Sequence, residues 1–182
     1  MGILIRMTKG NYINNDAVEN VIHYITRTRA NEQDGEALIS IGGAGVAYYL
    51  GAEAIINQMK YVQNVFGIEQ RGGRRMYHEV FQLSFEECQA LGADGRVINE
   101  IALELLQCYF QKGHQAIFAI HNNREGVHIH LVVNTISYCT GLKWHDSMEE
   151  LKERETCFNQ TVYNYIGRIA ARNNLLMANC NG

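Results

Sequence analysis

The sequence predicts a single α+β domain, with a largely antiparallel central sheet of about five strands flanked by helices. Segments with the two-residue alternation of strands and segments with the 3.6-residue period of helices are mixed along the chain, without strict β-α-β order. Two strand-like segments, 115–121 and 126–137, are separated by a short turn-forming stretch and predict a hairpin. Proline is absent, and no linker divides the 182 residues, so one domain over 1–182 is the simplest organisation.

The first half of the chain predicts two strands and two amphipathic helices. After the strand "ILIRMT", a helix over 14–28 has apolar side chains at helical spacing. Asp16 and Glu19 have the spacing of a capping box at its start. The strand "ALISIGG" follows, and residues 51–67 repeat the helical period up to a terminal glycine.

The second half predicts three strands and two further helices. "RMYHEVFQLSF" is rich in aromatic and β-branched residues, which is typical of a strand. Residues 94–113 predict a strongly amphipathic helix, and the hairpin described above follows. The chain then predicts a long helix over 147–174, which Gly167 could interrupt.

The charge and cysteine content exclude several classes of protein. Net charge is −3 with a sequence pI near 6.2, whereas a general nucleic-acid binder is usually basic. Any nucleic acid must therefore contact a local basic patch. Arg71, Arg74 and Arg75 in "QRGGRRMYH" are the candidates, and a solvated loop is the alternative. The five cysteines, odd in number and without CxxC spacing, argue against a disulfide framework and favour the cytoplasm. No apolar run is long enough for membrane insertion.

Three histidines within ten residues form the candidate metal site. In "VHIHLVVN" the alternation of a strand places His128 and His130 on one face, opposite the apolar residues between them. The hairpin brings His121 alongside them. Three neutral imidazoles on one ion would leave positions open for water or substrate, which is typical of a catalytic site.

Other interpretations of the histidines remain open at this point. A strand that carries histidines by chance on a solvent-facing side is the simplest of them. A metallo-β-lactamase-like site requires Asp-His soon after His-x-His, and here "LVV" follows. A cupin-like site requires a glutamate about four residues after the motif and a second motif strand, and neither is present.

A nucleophile cannot be chosen by composition, since the chain has ten tyrosines. Tyr24 lies in the first predicted helix, on the shoulder of its apolar stripe, and ordinary packing would explain it equally well. A metal ion with three neutral ligands keeps its positive charge, which suits the stabilisation of a phosphoryl-transfer transition state. Tyrosine could act there only with a base or a cation nearby, because its free pKa is about 10.

Four motifs resemble those of the conjugative relaxases, in the MOB-P branch of the HUH endonuclease superfamily. "HNNREGVHIHLVVNTIS" is similar to the metal motif of that family, and "VIHYITRT" to its catalytic-tyrosine motif. "AEAIINQMKYVQNVFG" with "MYHEVFQLSF" resembles the family's second helix and histidine strand, and "YCTGLKWHDSMEELKERE" the segment after the metal strand. The resemblance covers nearly all of 3–170 and implies an HUH-relaxase fold with a ferredoxin-like palm.

The resemblance implies an activity and a set of partners. Tyr24 would attack single-stranded or hairpin origin-of-transfer DNA to form a 5′-phosphotyrosyl enzyme, and the strand would later be rejoined. His121, His128 and His130 would hold one divalent ion, with Mn²⁺ or Mg²⁺ expected first and Zn²⁺, Ni²⁺ or Co²⁺ as alternatives. The implied setting is a bacterial cytoplasm, with accessory relaxosome proteins and a coupling protein. The family also implies that this domain is the N-terminal part of a longer protein.

Some supporting residues depart from the family pattern. Asn123 and Gly126 stand where relaxases often have an aspartate and a further histidine. The expected partners or bases beside the metal ligands are therefore Glu79, Glu125 and His78. Ser84 matches a family serine, as a phosphate contact or as a turn cap. Lys143 and Trp144 join the three arginines as expected DNA contacts.

Two other functions fit the same residues. One is a relaxase-like module that binds origin DNA without cutting it, although the intact tyrosine and histidines argue against it. The other is a histidine-metal phosphoesterase that uses water, with Tyr24 merely packed. A covalent protein–DNA adduct would separate both from the leading interpretation.

Overall fold

The computed structural model describes residues 1–8, 12–28, 37–67, 72–92, 95–124 and 126–180, with side chains up to 175. Its centre is an open five-stranded sheet in the order β1-β3-β5-β4-β2, in which every neighbouring pair is antiparallel. The strands are β1 Ile3–Arg6, β2 Ala37–Ala44, β3 Met76–Gln82, β4 His114–Asn123 and β5 Gly126–Ser137. The predicted α+β class, with about five antiparallel strands, is confirmed.

Helices cover both faces of the sheet. They are α1 Ala17–Thr26, α2 Ala52–Val65, α3 Phe85–Ala90, α4 Gly95–Phe110 and α5 Met148–Cys180. Side chains of α1 and α2 share one apolar core with the sheet, and those of α3, α4 and α5 share the core on its other face. No helix in the described ranges combines the length and the apolar character that a membrane crossing requires.

Strand β5 lies at the centre of the sheet and is buried on both faces. Ile129, Leu131 and Val133 face the α4–α5 core, as the alternation predicts. His128 and His130 face the opposite side and are also buried, at 8% and 3% exposure. The alternative interpretation, a strand whose histidines face the solvent, is therefore wrong. The histidines lie within the protein, on the face that α1 covers.

Local helix signals in the sequence were only partly correct. Asp16 is the N-cap of α1 but makes no capping bond, since its carboxylate accepts from the Asn20 amide at 2.9 Å. The capping box lies instead at the start of α3, which the sequence reasoning missed. There Ser84 Oγ accepts from the Glu87 N–H, and Glu87 Oε2 accepts from the Ser84 N–H. Helix α5 continues through Gly167 without a break.

A buried ion-pair network joins β1 and β3 to α5 on the α4–α5 side of the sheet. Glu79 is fully buried, and its Oε1 accepts from Arg6 and Arg154 at 2.7 and 3.0 Å. Tyr109 donates to Glu79 Oε2 at 2.5 Å. Both arginines also pair with the Asp146 carboxylate. These opposite charges pair with one another in a largely buried position, and they hold the start of α5 against the sheet.

Removal of the Glu79 charge should destabilise the fold without affecting a metal site on the other face. We expect Glu79→Gln to lower the free energy of unfolding by about 3 kcal/mol, because two buried arginines lose a shared partner. Urea denaturation measures this, with Glu153→Gln on the exposed side of α5 as the matched control. A change in Mn²⁺ affinity of the folded variant would contradict a purely structural role.

Candidate active site

The β4–β5 hairpin brings the three histidines together. His121 and His128 are directly opposite in the strand register, and His130 follows two residues later on the same face. One nitrogen from each ring lies within 4.8 Å of the others, and all three side chains are buried. The predicted grouping is therefore present, and it arises from strand alternation and a short turn.

Hydrogen bonds at His121 determine which of its nitrogens can accept. Its Nε2 lies 2.7 Å from the carbonyl oxygen of Ile25 in α1, so this nitrogen carries the proton and donates it. The ring's lone pair is then on Nδ1, where Arg27 Nη2 donates at 3.2 Å. Nδ1 is consequently the atom of His121 that could ligate a metal ion.

A chain of hydrogen bonds supports His130 from behind. His130 Nδ1 lies 2.9 Å from His78 Nε2, and His78 Nδ1 lies 3.3 Å from the Tyr12 hydroxyl. Within the described part of the chain, the buried His130 Nε2 has no hydrogen-bond partner. If Nε2 is the ligand atom, His130 donates to His78 and His78 donates to Tyr12. Every other ring nitrogen of His130 and His78 then has a hydrogen-bond partner.

Burial keeps His78 and His130 neutral. Desolvation, reinforced by nearby His121, lowers the pKa of His78 to about 4. The pKa of His130 is lowered further by burial and by the neighbouring His78, His121 and His128. Neutral imidazoles keep the lone pairs that metal binding needs.

The donor set fits a divalent metal ion. Imidazole nitrogens suit several first-row transition metals, and three such ligands leave positions open for substrate. His130 Nε2 is the buried nitrogen that such an ion would satisfy. The His121–His128–His130 triad can therefore hold a metal ion.

Tyr24 lies next to the triad, on the wall of a cavity of about 350 Å³. Its ring centroid is 5.7 Å from that of His130 and 6.3 Å from that of His78, both edge-on. Tyr12, His78 and His130 also line the cavity, together with polar residues at the start of α1. The structure thus brings the predicted nucleophile, two histidines and an accessible space into one place.

Arg27 and Tyr12 are site residues that sequence reasoning missed. Arg27 ends α1 in the left-handed conformation, with φ 54°, and its guanidinium carbon lies 4.9 Å from the Tyr24 ring centroid. Its position three residues after Tyr24 on one helix was a usable signal, since such residues are neighbours. Tyr12 has no comparable signal, because it reaches His78 only through the tertiary fold.

Two of the predicted DNA contacts lie at the rim of the cavity. The Arg74 guanidinium stacks over Tyr12 at 4.8 Å, and the Arg75 side chain donates to the Ile13 carbonyl and to Asn15. Lys143 lies in the segment after β5 and reaches the loop of the two arginines, where it donates to the Gly72 carbonyl at 2.5 Å. Arg71 and Glu125 lie outside the described residues.

Three other predicted residues serve different contacts. Glu79 faces the α4–α5 core in the ion-pair network, whereas the preceding residue His78 faces the triad. Ser84 caps α3. Trp144 packs edge-on against Tyr77 and Tyr109, with ring centroids 5.0 and 5.7 Å apart, in the same core as Glu79. The structure does not bring these three side chains to the His121–His128–His130 triad.

Comparison with known proteins assigns a family. No curated protein matches the chain. A family model described as "Relaxase: MobA/VirD2-like, nuclease domain" matches residues 12–165. That match spans most of the chain and includes Tyr24 and the three histidines, and the chain therefore belongs to the MobA/VirD2-like relaxase nuclease domain family.

Proposed function

We propose that this domain nicks one strand of origin-of-transfer DNA and retains it as a 5′-phosphotyrosyl adduct. Membership in the family supports a DNA-nicking nuclease. The observation that carries the finer proposal is that Tyr24 and His130, one member of the histidine triad, line the same cavity, with their rings 5.7 Å apart. In this proposal Tyr24 is the nucleophile, because its ring lies beside the place where the phosphate would bind.

The proposed reaction is a transesterification. The Tyr24 phenolic oxygen bonds to phosphorus, and the bond from phosphorus to the 3′ oxygen breaks. The phenolic proton leaves and the 3′ oxygen gains a proton, so one phosphodiester replaces another. Because no phosphoester bond is lost to water, the 3′-OH can attack the adduct later and rejoin the strand.

The chain's own residues position the reacting groups. Helix α1 holds Tyr24 over the sheet, since Val18, Ile22 and Ile25 on its buried side pack into the core below. His78 and Tyr12 orient His130, and the carbonyl of Ile25 orients His121. A divalent ion bound to the triad would neutralise charge on the phosphate. His78 is accordingly a positioning residue. The sequence offered three candidates for that role: His78, Glu79 and Glu125.

The wider setting is part of the proposal. The order of motifs favours the MOB-P branch, with Mn²⁺ or Mg²⁺ as the ion, and mobilisation of a plasmid or integrative element with accessory proteins. Arg74 and Arg75 lie in the loop before β3, Lys143 contacts that loop at Gly72, and all three offer positive charge to the DNA backbone. The proposal takes residues 1–182 as one relaxase domain.

A covalent adduct tests the nucleophile. The protein is incubated with Mn²⁺ and single-stranded oligonucleotides that tile the element encoding it, and the products are separated under denaturing conditions. We expect an adduct with the wild type and with Tyr61→Phe, whose ring is exposed on α2, and no adduct with Tyr24→Phe. Cleavage without an adduct would indicate a water-using phosphoesterase, and binding without cleavage a non-cutting module.

The role of His78 predicts a loss of metal affinity. We expect His78→Phe to weaken Mn²⁺ binding about 10- to 100-fold, because His130 loses the partner that orients its ring. Isothermal titration calorimetry measures the affinity. The control is His114→Phe, which removes another buried histidine, packed against Trp144 in the opposite core. Equal affinities in the two variants would show that His78 does not position His130.

A further inference from the structure

Arg27 links the proposed nucleophile to a metal ligand. Its guanidinium lies over the Tyr24 ring, with 4.9 Å between its carbon and the ring centroid. One of its N–H groups donates to His121 Nδ1 at 3.2 Å, in a partly buried contact. The guanidinium thus touches both halves of the site, and neither the family match nor the expected ligand set assigns it a role.

The contact with His121 competes with metal binding. His121 Nε2 is committed to the Ile25 carbonyl at 2.7 Å, so Nδ1 carries the ring's lone pair. One lone pair cannot accept an arginine N–H and coordinate a cation at the same time. A cation on Nδ1 would also lie close to a guanidinium that stays charged at every relevant pH, and the two repel each other.

The displaced guanidinium would have a ready acceptor nearby. A partly buried N–H that loses its partner needs another, and a phosphate matches the planar fork of arginine particularly well. The phosphate attacked by Tyr24 must lie beside the phenol that Arg27 already covers.

We propose that Arg27 exchanges His121 for the DNA phosphate when the metal ion binds, and this rests on the proposed function. Arg27 then weakens metal binding in the absence of DNA and strengthens DNA binding in the presence of metal. The two ligands are coupled through one side chain, and the metal-loaded site is the form that holds the phosphate best.

Opposite effects on the two ligands test the exchange. By calorimetry, we expect Arg27→Gln to bind Mn²⁺ about tenfold more tightly, because the competing cation is gone. Arg27→Lys, which keeps the charge, should stay near the wild type. Arg168→Gln is the matched control, since Arg168 also covers a tyrosine ring, at 4.8 Å, on α5. Unchanged or weaker Mn²⁺ binding by Arg27→Gln, with a native circular dichroism spectrum, would overturn the proposal.

The second measurement is DNA affinity in a Tyr24→Phe background, which removes the proposed nucleophile. With saturating Mn²⁺, Arg27→Gln should weaken binding of the adduct-forming oligonucleotide by about tenfold, as for loss of one charge-assisted contact. An equal loss without Mn²⁺ would overturn the exchange. If the wild type binds Mn²⁺ and forms the adduct while these effects are absent, only the exchange fails. If the wild type binds no Mn²⁺, the proposed function fails with it.

If Arg27→Gln does not fold, the wild-type protein provides a further test of the exchange. Arginine side-chain ¹⁵N resonances are followed during titration with diamagnetic Zn²⁺. The exchange requires one guanidinium to change its environment as the site fills. Resonances that stay fixed at saturation would overturn it.

Discussion

The burial of four imidazoles on one face of the sheet is the constraint on which the site depends. A buried ring nitrogen without a partner is costly, so each proton and lone pair must be matched. His121 obtains its partners from the end of α1, and His78 obtains one from Tyr12, which precedes that helix. The same bonds that satisfy the histidines therefore fix where α1 lies on the sheet. Tyr24 is carried to the cavity by that placement, and His130 Nε2 is left as the atom for a metal ion.

The opposite face supplies the rigidity that this arrangement needs. Adjacent residues of β3 serve the two layers, since His78 faces the triad and Glu79 faces the arginines of the ion-pair network. Central strand β5 is buried along its length and has apolar side chains on the α4–α5 side. Packing at interior density leaves little freedom for the strands to shift, so the ligand nitrogens remain close to one another.

Patterns of short range were readable from the sequence, and contacts of long range were not. Strand alternation and a turn were sufficient for His121, His128 and His130, because the hairpin is local. Tyr24 could not be selected from ten tyrosines by composition, and only its motif singled it out. Tyr12 reaches His78 across 66 residues of chain, and Arg27 reaches His121 across 94, and no local pattern reports these two contacts. Only the spacing of Arg27 from Tyr24 was a local signal. Glu79 was expected beside the metal because it follows His78 in β3. Strand alternation puts the two side chains on opposite faces, but it does not say which face meets the histidines and which meets the arginines.

The local origin of the histidine triad separates two parts of the candidate site along the chain. All three histidines belong to one hairpin, within residues 121–130, whereas Tyr24 belongs to a helix about a hundred residues earlier. Closing such a short loop costs little entropy, so the hairpin brings the three rings together locally, and α1 then supplies the Ile25 carbonyl that orients His121. A substitution that shifts the end of α1 would consequently disturb both parts at once, because the same turn of chain holds Tyr24 and the carbonyl that orients His121.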